Sequence, residues 1–462
     1  MKKLTRAVVF GIIVIFCICH VYKILSWKDT TGAYLSATQQ LYATEDGLID
    51  LVFMGSSHCY CGINPSVLWD TYGISAFDMA ISGQDKSSTY HTLKELLKTQ
   101  SPKVVCIDMW GLVFEEHGVE SNVYRNMLSM KTSANSIDLV QSYIEKEEQA
   151  DYILRWPIVH TRYRELQTYD FVQNELSIYG RGFFCNYHAT PVSGIATSVQ
   201  ESVPLSDSNK KWIDDLKQLS EEEGFTLVMF LAPNKLPEDE QMIIKGAEEY
   251  LEELKIACIN YNDLIEEVGF DYNTDFTDES HLNTTGANKL TSYFGEYLTA
   301  NYDFEDHRGD EAYYLWDECS VYMEHKAYQE ALKSTKDAWQ YFTKLAESED
   351  ITVIISLDGT YQDSTLELMG FTELFGIPTS EYYLGGKWIY ENGEILYYMN
   401  SGMMEEYNYD LNERDTLRIW NQLDVLNRVQ INGEPMNGVY NGLSVTVYDK
   451  FTGEIVDQRG YF

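Results

Sequence analysis

Apolar residues run from Ala7 to Ile24, broken only by His20 and Lys23, and Lys2, Lys3 and Arg6 precede them. A positive flank before such a run is the pattern of a segment near the lower length limit for crossing a bilayer. It predicts an uncleaved anchor over residues 1–26, a single pass of the cell membrane with the bulk of the chain outside. A cleaved signal peptide is the alternative, although the small-residue site at 33–37 lies late for one. The polar stretch 27–47 reads as a stalk or lead-in helix.

After residue 48 the period changes. Short apolar runs at 48–54, 75–81, 104–109, 226–231 and 256–260 predict strands. Between them, Tyr90, Leu93 and Leu97 share a helical face, as do Trp212, Ile213, Leu216 and Leu219 in a segment capped by Asp207 and stopped by Gly224. Thr284 caps a last helix with Leu290, Phe294 and Leu298 inward. Alternating strands and helices predict an α/β domain over 48–302. Its parallel sheet is covered by helices on both faces and carries its site at the carboxyl ends of the strands. Residues 112–204 interrupt the alternation and are expected to lie over those ends.

Residues 303–350 read as a helical spacer, with helices at 312–325 and 327–346. From 351 to 462 the pattern is that of an α+β or mostly-β domain. It has a strand at 353–357, a hairpin at 388–398 turning on Asn392-Gly393, and another pairing 443–449 with 454–457 around Thr452-Gly453.

Charge narrows the function. The formal net charge is −38, which repels nucleic acid and anionic headgroups, so nucleic-acid binding is set aside. Hydrophobic content of 44% supports real cores. Of eight cysteines, Cys17 and Cys19 lie in the apolar segment, Cys106 and Cys258 in strand-like runs, and Cys59-x-Cys61 lacks the partner spacing of a zinc site. Neither a metal nor a cofactor is expected.

Two short motifs carry chemistry. Gly55-Ser56-Ser57-His58 follows the run Leu51-Val52-Phe53-Met54, and Asp278-Glu279-Ser280-His281 precedes the last helix. A serine hydroxyl needs a base; imidazole serves near neutrality; a carboxylate fixes its tautomer. In Asp278-x-x-His281 the carboxylate and imidazole sit on one turn, and His281 faces Ser57 if the last helix packs beside the first strand. The N–H groups of Ser57 and Gly83 would form an oxyanion hole. Each motif alone also occurs in ordinary turns and helix starts; the pairing favours catalysis. Ser56 is the alternative nucleophile.

The two motifs together resemble the SGNH/GDSL hydrolase superfamily, whose first block is Gly-Asp-Ser after the first strand and whose last is Asp-x-x-His before the final helix. The Gly-Ser-Ser variant is similar to the bacterial surface branch that includes teichoic-acid D-alanyl-transfer proteins and polysaccharide O-acetyltransferases. The resemblance covers 48–300. It implies Ser57 as nucleophile, Asp278 and His281 as its partners, and Gly83 as oxyanion donor. It also implies a membrane-bound O-acyltransferase as partner and an envelope glycan as substrate. Where the superfamily often places an asparagine after the third strand, this chain has Asp108, so Gln84 is the further oxyanion candidate.

Substrate contacts are expected from His58, Asp108 and Asn234, and from His160 and Arg162, which lie in a His-x-Arg segment near Tyr163 and Tyr169. A salt bridge is the structural alternative for Arg162. Residues 442–449 and 453–457, with parts of 353–370 and 385–388, are similar to the interleukin-like EMT-inducer domain in permuted order. This implies glycan binding, with Trp388, Tyr390 and Tyr397 as stacking candidates.

The expected function is a membrane-anchored extracellular serine acyltransferase or carbohydrate esterase working on cell-wall or capsular polysaccharide through an acyl-enzyme. Acetyl is the first choice of acyl group and D-alanyl the second. The alternatives are a non-catalytic scaffold for glycan or an acyltransferase partner, and a lipase.

Overall fold

The computed structural model describes residues 2–26, 36–114, 127–167, 170–171, 178–193, 199, 201–357, 370–377, 386–400, 404–420, 429–436 and 442–461. Part of the predicted stalk (27–35), parts of the predicted insertion (115–126, 168–169, 172–177, 194–198, 200) and residues 358–369 and 378–385 of the C-terminal region lie outside them. The chain divides into two compact units, Met1–Ser320 and Val321–Phe462.

The first unit is built on a parallel sheet of β1 (Leu51–Met54), β2 (Ala76–Asp78), β3 (Val104–Asp108), β4 (Thr226–Leu231) and β5 (Ala257–Asn260), in the order β2-β1-β3-β4-β5. Alternation along the strands feeds two cores. Val52, Met54, Val105, Ile107, Leu227 and Met229 face helices Lys86–Leu96, Asp207–Glu223 and Glu238–Leu254. Leu51, Phe53, Val104, Cys106, Val228 and Phe230 face helices Pro65–Tyr72 and Thr284–Asn301. The mixed α/β architecture with helices on both faces is therefore present. β2 is shorter than its predicted run because only three residues pair with β1.

Helix Lys2–Leu25 is long and apolar enough to cross a membrane: Val8–Leu25 has mean hydropathy 2.5 and almost none of it is buried. The described parts of 112–204 divide between two places. Helix Ala134–Tyr143 packs beside Lys86–Leu96, where His91 Nδ1 and Asn135 Oδ1 are 2.9 Å apart. Residues 178–193 run from β2, where the Arg181 carbonyl accepts the Asp78 N–H at 2.9 Å, to the turn before the last helix, where Thr190 N–H donates to the Phe276 carbonyl at 2.8 Å.

The predicted spacer is shared between the two units. One continuous helix, Tyr314–Ser334, crosses the expected break at residue 326, where no proline or glycine interrupts it, and Ala338–Ala346 follows. Trp316 is buried in the first unit with its indole N–H on the Ala76 carbonyl at 2.8 Å, whereas Leu332, Tyr341, Phe342 and Leu345 belong to the core of the second.

The second unit has a five-stranded antiparallel sheet, β14-β13-β6-β7-β8, made from β6 (Ile351–Leu357), β7 (Gly386–Glu391), β8 (Glu394–Asn400), β13 (Leu443–Asp449) and β14 (Glu454–Tyr461). The remaining strands, β9 (Glu406–Asp410), β10 (Thr416–Trp420), β11 (Val429–Ile431) and β12 (Glu434–Pro435), make a second sheet. Val353, Ile355, Val445 and Val447 face the helices, while Ile354, Ile389 and Tyr448 pack on Leu417, Ile419 and Ile431 of the second sheet. Asn392 and Gly393 both have positive φ, the requirement of a tight two-residue hairpin turn, and Asn432-Gly433 repeats it between β11 and β12. Trp388 and Tyr390 are buried in the core, so they present no face to a sugar; Tyr397 stacks on Tyr407 at 3.7 Å.

Candidate active site

The carboxyl end of β1 turns sharply. A Cβ on Gly55 would lie 2.7 Å from the Asp108 Cβ, so the turn closes against β3 only without a side chain there. Met79 N–H on the Phe53 carbonyl (2.8 Å) and Ile81 N–H on the Gly55 carbonyl (3.2 Å) carry the β2 segment alongside. The next residues wind into helix Ser57–Gly62, which puts Ser57 at its first position, half-buried, above the sheet.

Helix Thr284–Asn301 follows the turn that holds His281 and fixes its place. Asn283 caps it by accepting the Gly286 N–H at 3.1 Å. It lies hard against the helices that follow β1. A Cβ on Gly295 would meet Tyr72 at 2.8 Å and Leu68 at 2.9 Å. Asn64 N–H donates to Thr291 Oγ1 at 2.9 Å, and the Asn64 amide to Asn288 Oδ1 at 2.8 Å. The turn ahead of this helix is closed by Thr277 N–H on the His281 carbonyl (2.9 Å) and Lys235 N–H on the Glu279 carbonyl (2.9 Å). Lys235 Nζ also pairs with Glu279 Oε1 at 2.6 Å.

These supports bring three side chains together. Ser57 Oγ is 2.7 Å from His281 Nε2, and His281 Nδ1 is 2.9 and 3.0 Å from the two Asp278 oxygens. An ionised carboxylate only accepts, so the imidazole proton sits on Nδ1 and the Nε2 lone pair faces the serine hydroxyl, which donates to it. Burial alone would raise the Asp278 carboxyl. The Ser280 and His281 N–H groups and the imidazole outweigh it and hold Asp278 below the usual carboxylate range.

His58 lies behind this arrangement. Its ring stacks on His281 with centroids 5.1 Å apart and meets Trp110 edge-on at 4.6 Å. Burial, and then the neighbouring His281, push its pKa down to about 3, so the ring is neutral. It is buried behind His281, where a substrate contact was expected above. Trp110, half-buried beside it, carried no sequence signal beyond its place after β3.

The oxyanion candidates separate. Gly83 stands at positive φ in the turn after β2, and the Ser57 and Gly83 N–H groups donate to no acceptor among the described residues. Gln84 is committed elsewhere: its N–H bonds the Ile81 carbonyl at 2.9 Å and its buried amide donates to Thr92 Oγ1 at 3.4 Å. It braces the turn instead.

Asp108 and Asn234, expected above as substrate contacts, are both buried. Asp108 is buried beneath Gly55, accepts the Trp110 N–H at 3.2 Å and leaves its second oxygen without a partner. Burial pushes its carboxyl up to about 7 against the pull of the Trp110, Ala232 and Met109 N–H groups. Asn234 is buried and exchanges hydrogen bonds with Asn262, 3.0 Å to its N–H and 2.9 Å from its carbonyl, which ties the loops after β4 and β5.

His160 and Arg162 belong to another neighbourhood. His160 is exposed, its Nδ1 2.6 Å from the Pro157 carbonyl. Arg162 is buried, paired with Asp170 at 2.9 Å, and donates to the Leu25 and Ser26 carbonyls at 2.8 and 2.7 Å. It caps the N-terminal helix; neither residue touches Ser57, Asp278 or His281.

Sequence reasoning missed the Lys235–Glu279 brace, whose partners are 44 residues apart with nothing local to pair them. Among the described residues no group of three or more His, Cys, Asp or Glu side chains is arranged to hold a metal ion.

No family model matches the chain, and no curated protein matches it. Solved structures do match. One, from Parabacteroides merdae ATCC 43184 and named as a GDSL-like lipase, is 13% identical, with 55% of this chain and 96% of that chain covered. Its TM-score is 0.18.

Proposed function

We propose that this protein is a membrane-anchored serine acyltransferase or esterase, with Ser57 as nucleophile, His281 as general base and acid, and Asp278 as the group that orients His281. The single observation behind this reading is the unbroken chain Ser57–His281–Asp278, with every link at 3.0 Å or less. In the first half-reaction the Ser57 oxygen bonds to the acyl carbonyl carbon as its proton passes to His281 Nε2. The Ser57 and Gly83 N–H groups would hold the oxyanion. The bond to the leaving oxygen then breaks, and that oxygen takes the proton from His281. In the second half an acceptor hydroxyl, or water, gives its proton to His281 and attacks the acyl-serine, and Ser57 recovers its proton.

The envelope polysaccharide as acceptor, the acetyl or D-alanyl group, and a membrane-bound O-acyltransferase as donor are proposals. They rest on the resemblance of Gly55-Ser56-Ser57 and Asp278-x-x-His281 to a surface-enzyme branch, and on the apolar N-terminal helix. The fluorophosphonate adduct tests the core of the reading. Labelling on Ser57 that vanishes in Ser57→Ala and in His281→Ala, together with loss of p-nitrophenyl acetate turnover, is the expected result. Turnover equal in wild type and His281→Ala would instead support a non-catalytic scaffold.

A further inference from the structure

In a chain of charge −38, residues 152–164 contain no acidic side chain but hold Arg155, His160, Arg162 and Arg164. The same stretch, with Phe171, gathers exposed apolar surface. Leu154 is 68% exposed, Trp156 38%, Tyr163 58% and Phe171 64%. Elsewhere in the first unit, among the described residues outside the N-terminal helix, Tyr314 is the one other large hydrophobic side chain as exposed. Soluble proteins scatter such residues singly; a cluster marks a surface that meets something.

The cluster adjoins the end of helix Lys2–Leu25. Trp156 stacks on Tyr22 with centroids 6.3 Å apart. Arg162 holds the Leu25 and Ser26 carbonyls at the C-terminal end of the helix, and Asp170 pairs with it. The helix is therefore clamped to the folded unit at the level of Leu25 and Ser26. Arg164 lies over the Tyr163 ring, its Nε 3.0 Å from the phenol oxygen, so the patch pairs aromatic rings with a cation. Tryptophan, tyrosine and arginine at the end of an apolar helix are the composition of a bilayer interface.

We propose that the face carrying Leu154, Trp156, Tyr163 and Phe171 sits in the lipid headgroup–acyl boundary around the N-terminal helix, as a collar that holds the unit against the membrane. The occupant is phospholipid: the patch continues the surface of a helix whose apolar window is 6% buried, and residues 152–164 hold basic but no acidic side chains. The proposal rests on the reading of that helix as an anchor.

Photo-cross-linking of the full chain in native membranes tests it. p-Benzoylphenylalanine is placed in separate chains at Tyr163, at Phe171, at Phe16 in the helix, and at the exposed Tyr314 as a control. The expected result is a mass shift of one phospholipid at 16, 163 and 171 and none at 314. Phospholipid adducts at 16 with none at 163 or 171 would overturn the collar and leave the anchor standing. Loss of adducts at 16 would overturn the anchor. A second polypeptide cross-linked at 163 or 171 would overturn lipid as the occupant in favour of a protein partner.

Discussion

His58 lies nearly parallel to His281, 21° between ring planes, one ring buried and neutral, the other reaching Ser57. Stacking of this kind fixes a ring that must keep two hydrogen bonds in line. His58→Phe keeps a flat ring and is expected to retain most turnover. His58→Ala leaves a void behind His281 and should lower kcat by about 10- to 100-fold, the cost of a base misplaced by roughly an ångström. Because His58 stays neutral above about pH 4, the pH–rate profile of His58→Phe should keep the wild-type midpoints.

Asp278→Asn should preserve the turn, since an amide oxygen still accepts the Ser280 and His281 N–H groups, yet it removes the preference for the Nδ1–H tautomer. A fall in kcat of about 10³- to 10⁴-fold is expected, with a loss of stability at pH 7 that shrinks toward pH 3. Because the folded state depresses this carboxyl, its contribution to stability is present above the unfolded pKa and is lost as pH falls through the folded one. Chemical unfolding of the variant at pH 3 and pH 7 checks the sign.

Asp108 behaves in the opposite sense. Its carboxyl is raised from 3.8 to about 7 in the fold, so the folded state holds a proton that the unfolded chain releases. Its stabilising effect is full below about pH 4 and disappears as pH rises to 7, by up to roughly 4 kcal/mol at 1.36 kcal/mol per unit. Asp78, also buried and raised well above its ordinary value, adds to the same slope. Asp108→Asn should therefore flatten the decline in urea midpoint between pH 5 and 8 without abolishing it.

Lys235 reaches the turn of Asp278 and His281 through Glu279, with both side chains partly exposed. An exposed pair is worth less than about 1 kcal/mol of stability. Lys235→Ala is expected to leave the unfolding midpoint almost unchanged and to lower kcat about 3- to 10-fold by loosening the turn. Because salt screens such pairs, the gap from wild type should narrow at high ionic strength.

Gly295→Ala adds a methyl group into contact with Tyr72 and Leu68. Overpacking of this size costs about 1–3 kcal/mol. It also pries the helix that follows His281 from helix Pro65–Tyr72, which follows the helix of Ser57. Stability and acylation rate should fall together, and Gly295→Ser should do the same; a drop in stability alone would show that the two helices shift without moving the site.

The sheet was legible because its strands are short apolar runs closed by turn residues, and the Ser57, Asp278 and His281 contacts because each motif is local. What was not legible depends on distant partners. Arg162 reads as a ligand for a polymer anion, yet its acceptors lie 137 residues earlier at Leu25. His58 follows Ser57 in sequence, and only the fold shows the wall formed by Trp110 and His281. Asp108 ends a strand like a site residue, but the missing side chain at Gly55 draws it inward. Trp388 and Tyr390 are two apart on β7, so both side chains point to one face, and the helices that cover that face come from other parts of the chain.

The hydroxyl and the imidazole that contact each other are 224 residues apart. A chain emerging from its N-terminus would present the serine long before its partner ring, and the helix that seats the ring can dock only against helices already folded. An incomplete polypeptide would thus carry an inert alcohol, and reactivity would switch on when nearly two-thirds of the protein had been laid down.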